Sequence, residues 1–433
     1  MIKTIQNKIF ILSKKYGQRI GLDLPYFVKN GFWVALRQGV GVISGLALSI
    51  AFARLASQEV FGQYQFILSI LSIVSILSVP GLNTSIIQSA ARGYDGDYKR
   101  VVKISFLWSL LGVPTLLILG GYYYIYQNHA LGMALMISSI FFPFFYAPNT
   151  WDSFLQGKGR FDVSAKYSSM QAIINTIVTM GVIFFSGNNL VLIVTIYLVS
   201  YTFFNGYYYL KSLEYIENNK KDPEVVGYGW FLTKMNFIGI ITNNIDRILV
   251  GILLGPVSLA AYSVISMIIN KYKDIIKTFI SIIIPKLSMN DRGIQKIISK
   301  HKFILAVFFV FYLFLAVCFY YLMPIINKFL FGSGYVQYYV LSKYYAIAFF
   351  FIVPVTFLGY YSQVNKRRVS ILASGLFFQV FRIVINVLCI LKLGLLGAVF
   401  AYNFLLLALF VLNYISILFE EFVKQESVPV RKN

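Results

Sequence analysis

Long apolar runs are a costly place for charge, yet this sequence puts charge there repeatedly. Asp246 and Arg247 stand inside the run 230–254, and Lys271, Lys273, Asp274 and Lys277 inside 259–284. Arg382 lies inside 369–391, and Arg37 inside 31–53 with Arg54 at its outer end. An ionised side chain at bilayer depth costs roughly 2.5–3.5 kcal/mol, so it is kept where it faces a protein interior or a wet cavity. The spacing says the same. Gln379, Arg382 and Asn386 fall at i, i+3, i+7; Asn243 and Arg247 at i, i+4; Asn270, Asp274 and Lys277 form a third stripe. Each stripe is one face of a helix. Cations outnumber acids among these residues, which suits an anionic ligand. Arg37, Arg247, Lys271 and Arg382 are the expected ligand-facing cations; Arg54 and Lys277 join them unless they snorkel to an interface. Asp246 and Asp274 are candidates to carry a coupling proton or sodium ion. The competing reading is internal pairing, such as Lys271 with Asp274 at i, i+3.

Other chemistry has no footing. Cys318 and Cys389 both lie in apolar runs without CxxC spacing, and His129 and His301 have no neighbouring ligands. No metal site, disulfide framework, catalytic residue or cofactor is therefore expected. The nucleotide-binding pattern G-x-x-x-x-G-K-[ST] does not occur, so ATP bound to this chain is not the expected power source.

The elements that must position these residues are spanning helices. The chain has 433 residues, 58% hydrophobic and only 12% charged, with a mean hydropathy of +0.72. Soluble domains carry about a quarter charged residues. Runs near 20 apolar residues, the length of a bilayer crossing, recur at about 31–53, 64–87, 101–124, 131–154, 164–185, 190–210, 230–254, 259–284, 303–323, 344–363, 369–391 and 395–419. That predicts an all-α polytopic membrane protein with 12 transmembrane helices. The net charge of +22 is explained by cytoplasmic loops rather than by nucleic acid, because the charge alternates. Lys3 to Lys29, Arg92 to Lys103, Lys158 to Lys166, Lys211 to Lys234, Lys286 to Lys302 and Lys366 to Arg368 fill every second gap. The gaps between them are nearly uncharged. The positive-inside rule then puts both termini in the cytoplasm. No cleavable signal peptide is expected, since residues 9–12 are too short for an apolar core.

A weak internal repeat aligns 53–64 (ARLASQEVFGQY) with 252–262 (ILLGPVSLAAY) on Tyr64 and Tyr262. It divides the chain into an amino-terminal six-helix lobe (1–210), a cytoplasmic linker (211–229) and a carboxy-terminal six-helix lobe (230–433). Pro80, Pro114, Pro143, Pro285 and Pro354, within or at the ends of spans, shape or hinge the helices.

Particular residues carry a family resemblance: Lys29-Asn30-Gly31, Ala53-Arg54-Leu55, Glu59 to Tyr64, Gly81-Leu82-Asn83, Gln156-Gly157 before Arg160-Phe161, Asn244 to Gly251, Leu254-Gly255-Pro256 and Pro285 to Ser288. The chain resembles the polysaccharide (O-antigen) flippases of the multidrug/oligosaccharidyl-lipid/polysaccharide exporter (MOP) superfamily. Ser57-Gln58-Glu59 departs from that family's usual Gly-Pro-Glu. The resemblance implies two six-helix lobes around a central cavity in a bacterial inner membrane. The implied cargo is undecaprenyl-pyrophosphate-linked oligosaccharide, moved from the cytoplasmic to the periplasmic leaflet. Polymerase and chain-length proteins become candidate partners.

Two other readings compete. A multidrug exporter of the same superfamily would suit an acidic cavity better than this one. A membrane O-antigen polymerase or ligase generally needs a substantial outer loop, and the longest outer gap, about 324–339, is short and carries only Lys328.

Overall fold

The computed structural model describes residues 24–186, 188–288, 302–365 and 367–426. The basic residues Lys3 to Arg19, Arg292, Lys296, Lys300 and Lys366, and His301, lie outside them.

Regular structure among the described residues is helical throughout. A chain this apolar must satisfy its backbone polar groups internally, and the helix does so within one segment. The first unit contributes α1 (Leu24–Leu55), which continues past its boundary, then α3 (Gly81–Ala91), α4 (Asp97–Ser109), α5 (Gly112–Tyr126), α6 (His129–Tyr146), α7 (Thr150–Gly157), α8 (Phe161–Ser186) and α9 (Leu190–Ser212). The second is built on α2 (Gln58–Val74), α11 (Ile245–Ser288), α12 (Lys302–Phe331), α13 (Ala346–Val364) and α14 (Phe378–Glu426), and α10 (Val225–Thr242) leads into it. Two of the uncharged gaps, those before α6 and α9, are tight Asn-capped turns. The Asn128 side chain accepts from the Leu131 amide at 2.9 Å, and Asn189 accepts from Leu192 at 3.1 Å, each satisfying one of the free N–H groups at a helix start.

Ten helices are long and apolar enough to cross a membrane among the described residues. Two of them are far longer than one crossing, 225–280 with 56 residues and 369–420 with 52. Each folds back on itself at a glycine with positive φ, Gly255 (82°) and Gly394 (59°). The Tyr262 hydroxyl lies 2.7 Å from Asp246 Oδ2, whereas sixteen residues of straight helix would span roughly 24 Å. Likewise the Phe381 and Phe404 rings are 6.2 Å apart. An L side chain in this conformation is strained, and glycine relieves it.

The compact units are not successive halves. One combines residues up to Ser49 with Val74–Asn236; the other combines Ile50–Ile73 with the chain from Phe237 on. Residues 225–236 stay with the first unit, where the Gly81 amide donates to Thr233 Oγ1 at 2.9 Å. Residues 50–73 pack in the second. There the Arg54 guanidinium donates to the carbonyls of Phe329 and Leu330, and Gly62 lies so close to Pro256 that a Cβ would sit 1.8 Å from its carbonyl oxygen.

The expected linker is strapped to the first unit. After a 3-10 turn at Leu213–Tyr215 it runs over the loop joining α3 and α4. Asp95 of that loop and Asp97 at the start of α4 are fully buried. Asp95 accepts from the Glu217 amide at 2.8 Å and pairs with Lys158 at 3.0 Å. Asp97 accepts from the Asp222 amide at 2.8 Å, and the Gly96 amide donates to the Lys220 carbonyl at 2.9 Å. Burial pulls the Lys158 ammonium down, but hydrogen bonds to Asp95 and Glu217 outweigh it, leaving its pKa above the ordinary lysine value.

Candidate functional site

The second unit contains a cavity of about 600 Å³. Its wall is built from helices whose local irregularity follows from sequence. The run 230–254 is interrupted at Asn243–Asn244, between α10 and α11. The Asn244 amide bridges the break, donating to the Ile240 carbonyl at 3.1 Å and to Ser72 Oγ at 2.9 Å. A broken helix at membrane depth is tolerated where its freed groups are met like this or line a cavity. The new helix start turns the positive end of the α11 dipole toward the region holding Asp246 and Arg247. A π-helical turn at Ala373–Phe377 precedes α14; such bulges are common at functional sites. The two irregular stretches are tied together. Thr242 Oγ1 donates to Gln379 Oε1 at 2.5 Å, and Arg382 Nη1 approaches Asn243 Oδ1 at 3.4 Å.

Four cations, Arg247, Lys273, Lys277 and Arg382, line this cavity with two carboxylates, Asp246 and Asp274. Among the described residues none of these six forms an ion pair within 4 Å. With all six ionised the wall carries a surplus of two positive charges. Asp246 is the most constrained. Its Oδ2 accepts from Tyr262, while Oδ1 is buried with no hydrogen-bond partner among the described residues.

Two of the three stripes read from the sequence line this cavity, and the third contributes Arg382 alone. Asn243 with Arg247, Asn270 with Asp274 and Lys277, and Arg382 all face the one cavity. Asn386 is fixed by donating to the Arg382 carbonyl at 2.8 Å. Lys271 is not among the lining residues; Lys273, two residues on, is. The other two expected cations sit elsewhere. Arg54 is spent on backbone carbonyls. Arg37, in the first unit, meets Asp152 through a fork, Nη1 to Oδ1 at 2.8 Å and Nη2 to Oδ2 at 2.7 Å. Ser164 and Gln156 also donate to that carboxylate, at 2.6 and 2.9 Å. Sequence reasoning did not single out Thr356, Tyr360 and Gln363 of α13 or Tyr402 of α14, which complete the wall. The first three fall at i, i+4, i+7, so the same periodicity marks them once Thr and Tyr are weighed as polar.

Helices and hairpins define a multi-pass membrane protein with the fold of MOP-superfamily transporters. An outward-facing multidrug resistance MATE family transporter of the MOP superfamily aligns with a TM-score of 0.63 at 11% identity, over 93% of this chain and 97% of that one. The lipid II flippase MurJ, in an inward closed conformation, aligns equally well, with a TM-score of 0.63 at 11% identity over 90% and 87%. A MOP superfamily transporter from Pyrococcus furiosus, described as having a binding pocket of reversed polarity, gives 0.58 at 12% identity over 92% and 95%. Identities this low speak to fold alone. Residues 27–291 match the model of a family described as polysaccharide biosynthesis protein, and the chain belongs to that family. The resemblance read from the sequence is thereby borne out. No curated protein matches the chain significantly in sequence.

Proposed function

We propose that this protein is a flippase for a polyprenyl-diphosphate-linked oligosaccharide, undecaprenyl-pyrophosphate carrying a surface-polysaccharide repeat unit such as O-antigen. It moves the cargo from the cytoplasmic to the periplasmic leaflet of a bacterial inner membrane by alternating access. The observation that carries the reading is the unpaired cationic surplus of Arg247, Lys273, Lys277 and Arg382 over Asp246 and Asp274 in one cavity. A diphosphate matches it, because guanidinium forks bind phosphate oxygens with two parallel hydrogen bonds. The family match supports the polysaccharide side of the reading.

The reversals at Gly255 and Gly394 support reading the ten apolar helices as twelve crossings, and the alternating loop charge supports both termini in the cytoplasm. Asp246 and Asp274 are the proposed sites for a coupling proton or sodium ion. Polymerase and chain-length proteins would receive the flipped unit. A multidrug exporter is disfavoured, since cationic drugs would be repelled by this wall.

Reconstitution tests the proposal. Proteoliposomes should move a fluorescent lipid-linked diphosphate sugar between leaflets, and an Arg247→Ala/Arg382→Ala double variant, present at normal level, should not. Equal transport by both proteins would refute the reading.

A further inference from the structure

A second, smaller cavity of about 110 Å³ adjoins the cationic one in the same unit. The two share Asp246, Lys273, Thr356, Arg382 and Tyr402 as a common rim. Beyond that rim the character of the wall changes. Ile352, Val355, Phe378, Leu405, Leu406 and Leu409 form it, with Asn386 at its edge. Asn386 spends one amide N–H within its own helix, so beyond the rim its second N–H and its Oδ1 are the hydrogen-bonding groups left to hold water or a sugar. A hydroxylated group placed here out of reach of Asn386 would lose its hydrogen bonds to water without replacement, a cost of about 1–3 kcal/mol for each.

We propose that this apolar compartment seats the first isoprenyl unit of the carrier lipid, the five carbons bonded directly to the diphosphate. The inference rests on the diphosphate reading of the larger cavity. Three observations favour this occupant over others. The two compartments share one charged rim, as required of two groups joined by a single C–O bond. The volume fits: an aliphatic cavity of about 150 Å³ holds benzene, so about 110 Å³ suits five branched carbons rather than a long acyl chain. The rim cations Lys273 and Arg382 reach both compartments, so an anion held by them leaves its α-carbon at the mouth of the apolar one. The site would then read the junction of lipid and diphosphate, which is the same whatever sugar the carrier bears.

Water-soluble probes separate the two compartments. Full-length protein in nanodiscs is titrated with methyl diphosphate and with dimethylallyl diphosphate, which share a headgroup and differ only in the five-carbon unit. The dimethylallyl probe should bind at least tenfold tighter. Leu409→Trp fills the apolar compartment and should abolish that difference while leaving methyl diphosphate affinity within twofold; Leu405→Trp serves as an independent filling variant. If methyl diphosphate binds and the isoprenyl group adds nothing, or if both Trp variants weaken the two probes in proportion, the inference is overturned while the diphosphate reading stands. If neither probe binds the wild-type protein, the diphosphate reading itself fails and the inference falls with it.

Discussion

Tyr262 donates a 2.7 Å hydrogen bond to Asp246 Oδ2 across the hairpin that turns at Gly255. The contact joins Tyr262, on which the internal repeat aligns and which is 1% exposed, to the carboxylate on the cavity wall. Fold and site therefore depend on one interaction. Tyr262→Phe leaves both oxygens of Asp246 without a donor and should destabilise the protein by about 1.5–3 kcal/mol, the range for a hydrogen bond to a charged group. The thermal midpoint of purified protein in detergent measures it. Adding Asp246→Asn to Tyr262→Phe should recover part of the loss, because the buried charge is gone.

The cavity cations should matter unequally. Arg247→Ala, Lys273→Ala and Arg382→Ala each remove a donor facing the ligand and should slow transport by about tenfold or more, equivalent to roughly 1.4 kcal/mol. Lys271→Ala, outside the lining, should stay within about twofold. Leaflet exchange in proteoliposomes of matched protein content ranks the four. If Lys271→Ala slowed transport as much as Arg382→Ala did, the wall as drawn would be wrong.

Arg54 and Arg37 belong to a different class of variant. Arg54→Ala strips donors from the Phe329 and Leu330 carbonyls, and Arg37→Ala leaves the partly buried Asp152 carboxylate short of its cation. Both should lower the thermal midpoint while leaving methyl diphosphate affinity unchanged, a split that calorimetric titration and a melting curve together resolve.

Gly62→Ala tests the closest approach in the second unit. Its Cβ would overlap the Pro256 carbonyl oxygen, 1.8 Å away, and backbone cannot give as a side chain does. A loss of roughly 1–3 kcal/mol is expected from such overpacking. Gly239→Ala, where a Cβ meets nothing within 4 Å, is the matched control and should melt like the wild type.

The linker strap carries a pH signature. Lys158 has a pKa raised above the ordinary lysine value of 10.5 by Asp95 and Glu217. A raised cation contributes stability that is complete below the unfolded value and lost as pH rises through the folded one. Its contribution should therefore be flat through neutrality and decline above about pH 10.5. Lys158→Met should remove that decline and, by stranding the buried Asp95 carboxylate, cost about 3–5 kcal/mol at neutral pH. Melting curves at pH 7 and in the alkaline range compare the two proteins.

Periodicity made much of the wall legible beforehand. Asn243 with Arg247, and Asn270 with Asp274 and Lys277, stand out because polar residues at helical spacing in an apolar run share one face. Lys271 and Lys273 were harder to separate: two residues apart, they point about 200° apart on a helix, and only the packing of α13 and α14 decides which meets the cavity. The partner of Arg37 was hidden for another reason. Asp152 is 115 residues away, and no local pattern encodes a contact at that range. The break at Asn243–Asn244 was hidden too, because it carries neither Pro nor Gly and the run reads as continuous. Reversals at Gly255 and Gly394 were readable, since loop signals and span length agreed there. The exchange of residues 50–73 and 225–236 between units was not, because it depends on side-to-side fit such as Gly62 against Pro256.

For anyone wishing to dissect the molecule, the buried aspartates Asp95 and Asp97 determine where the scissors go. The hydrogen bonds that the strap donates to Asp95 and Asp97 come from the Glu217 amide, the Asn218 side chain and the Asp222 amide. A cut before Glu217 would strip those donors from the amino-terminal fragment and expose two carboxylates to an empty groove. An insertion after Glu224 keeps them and leaves α10 attached, so an inserted fluorescent domain belongs on that side.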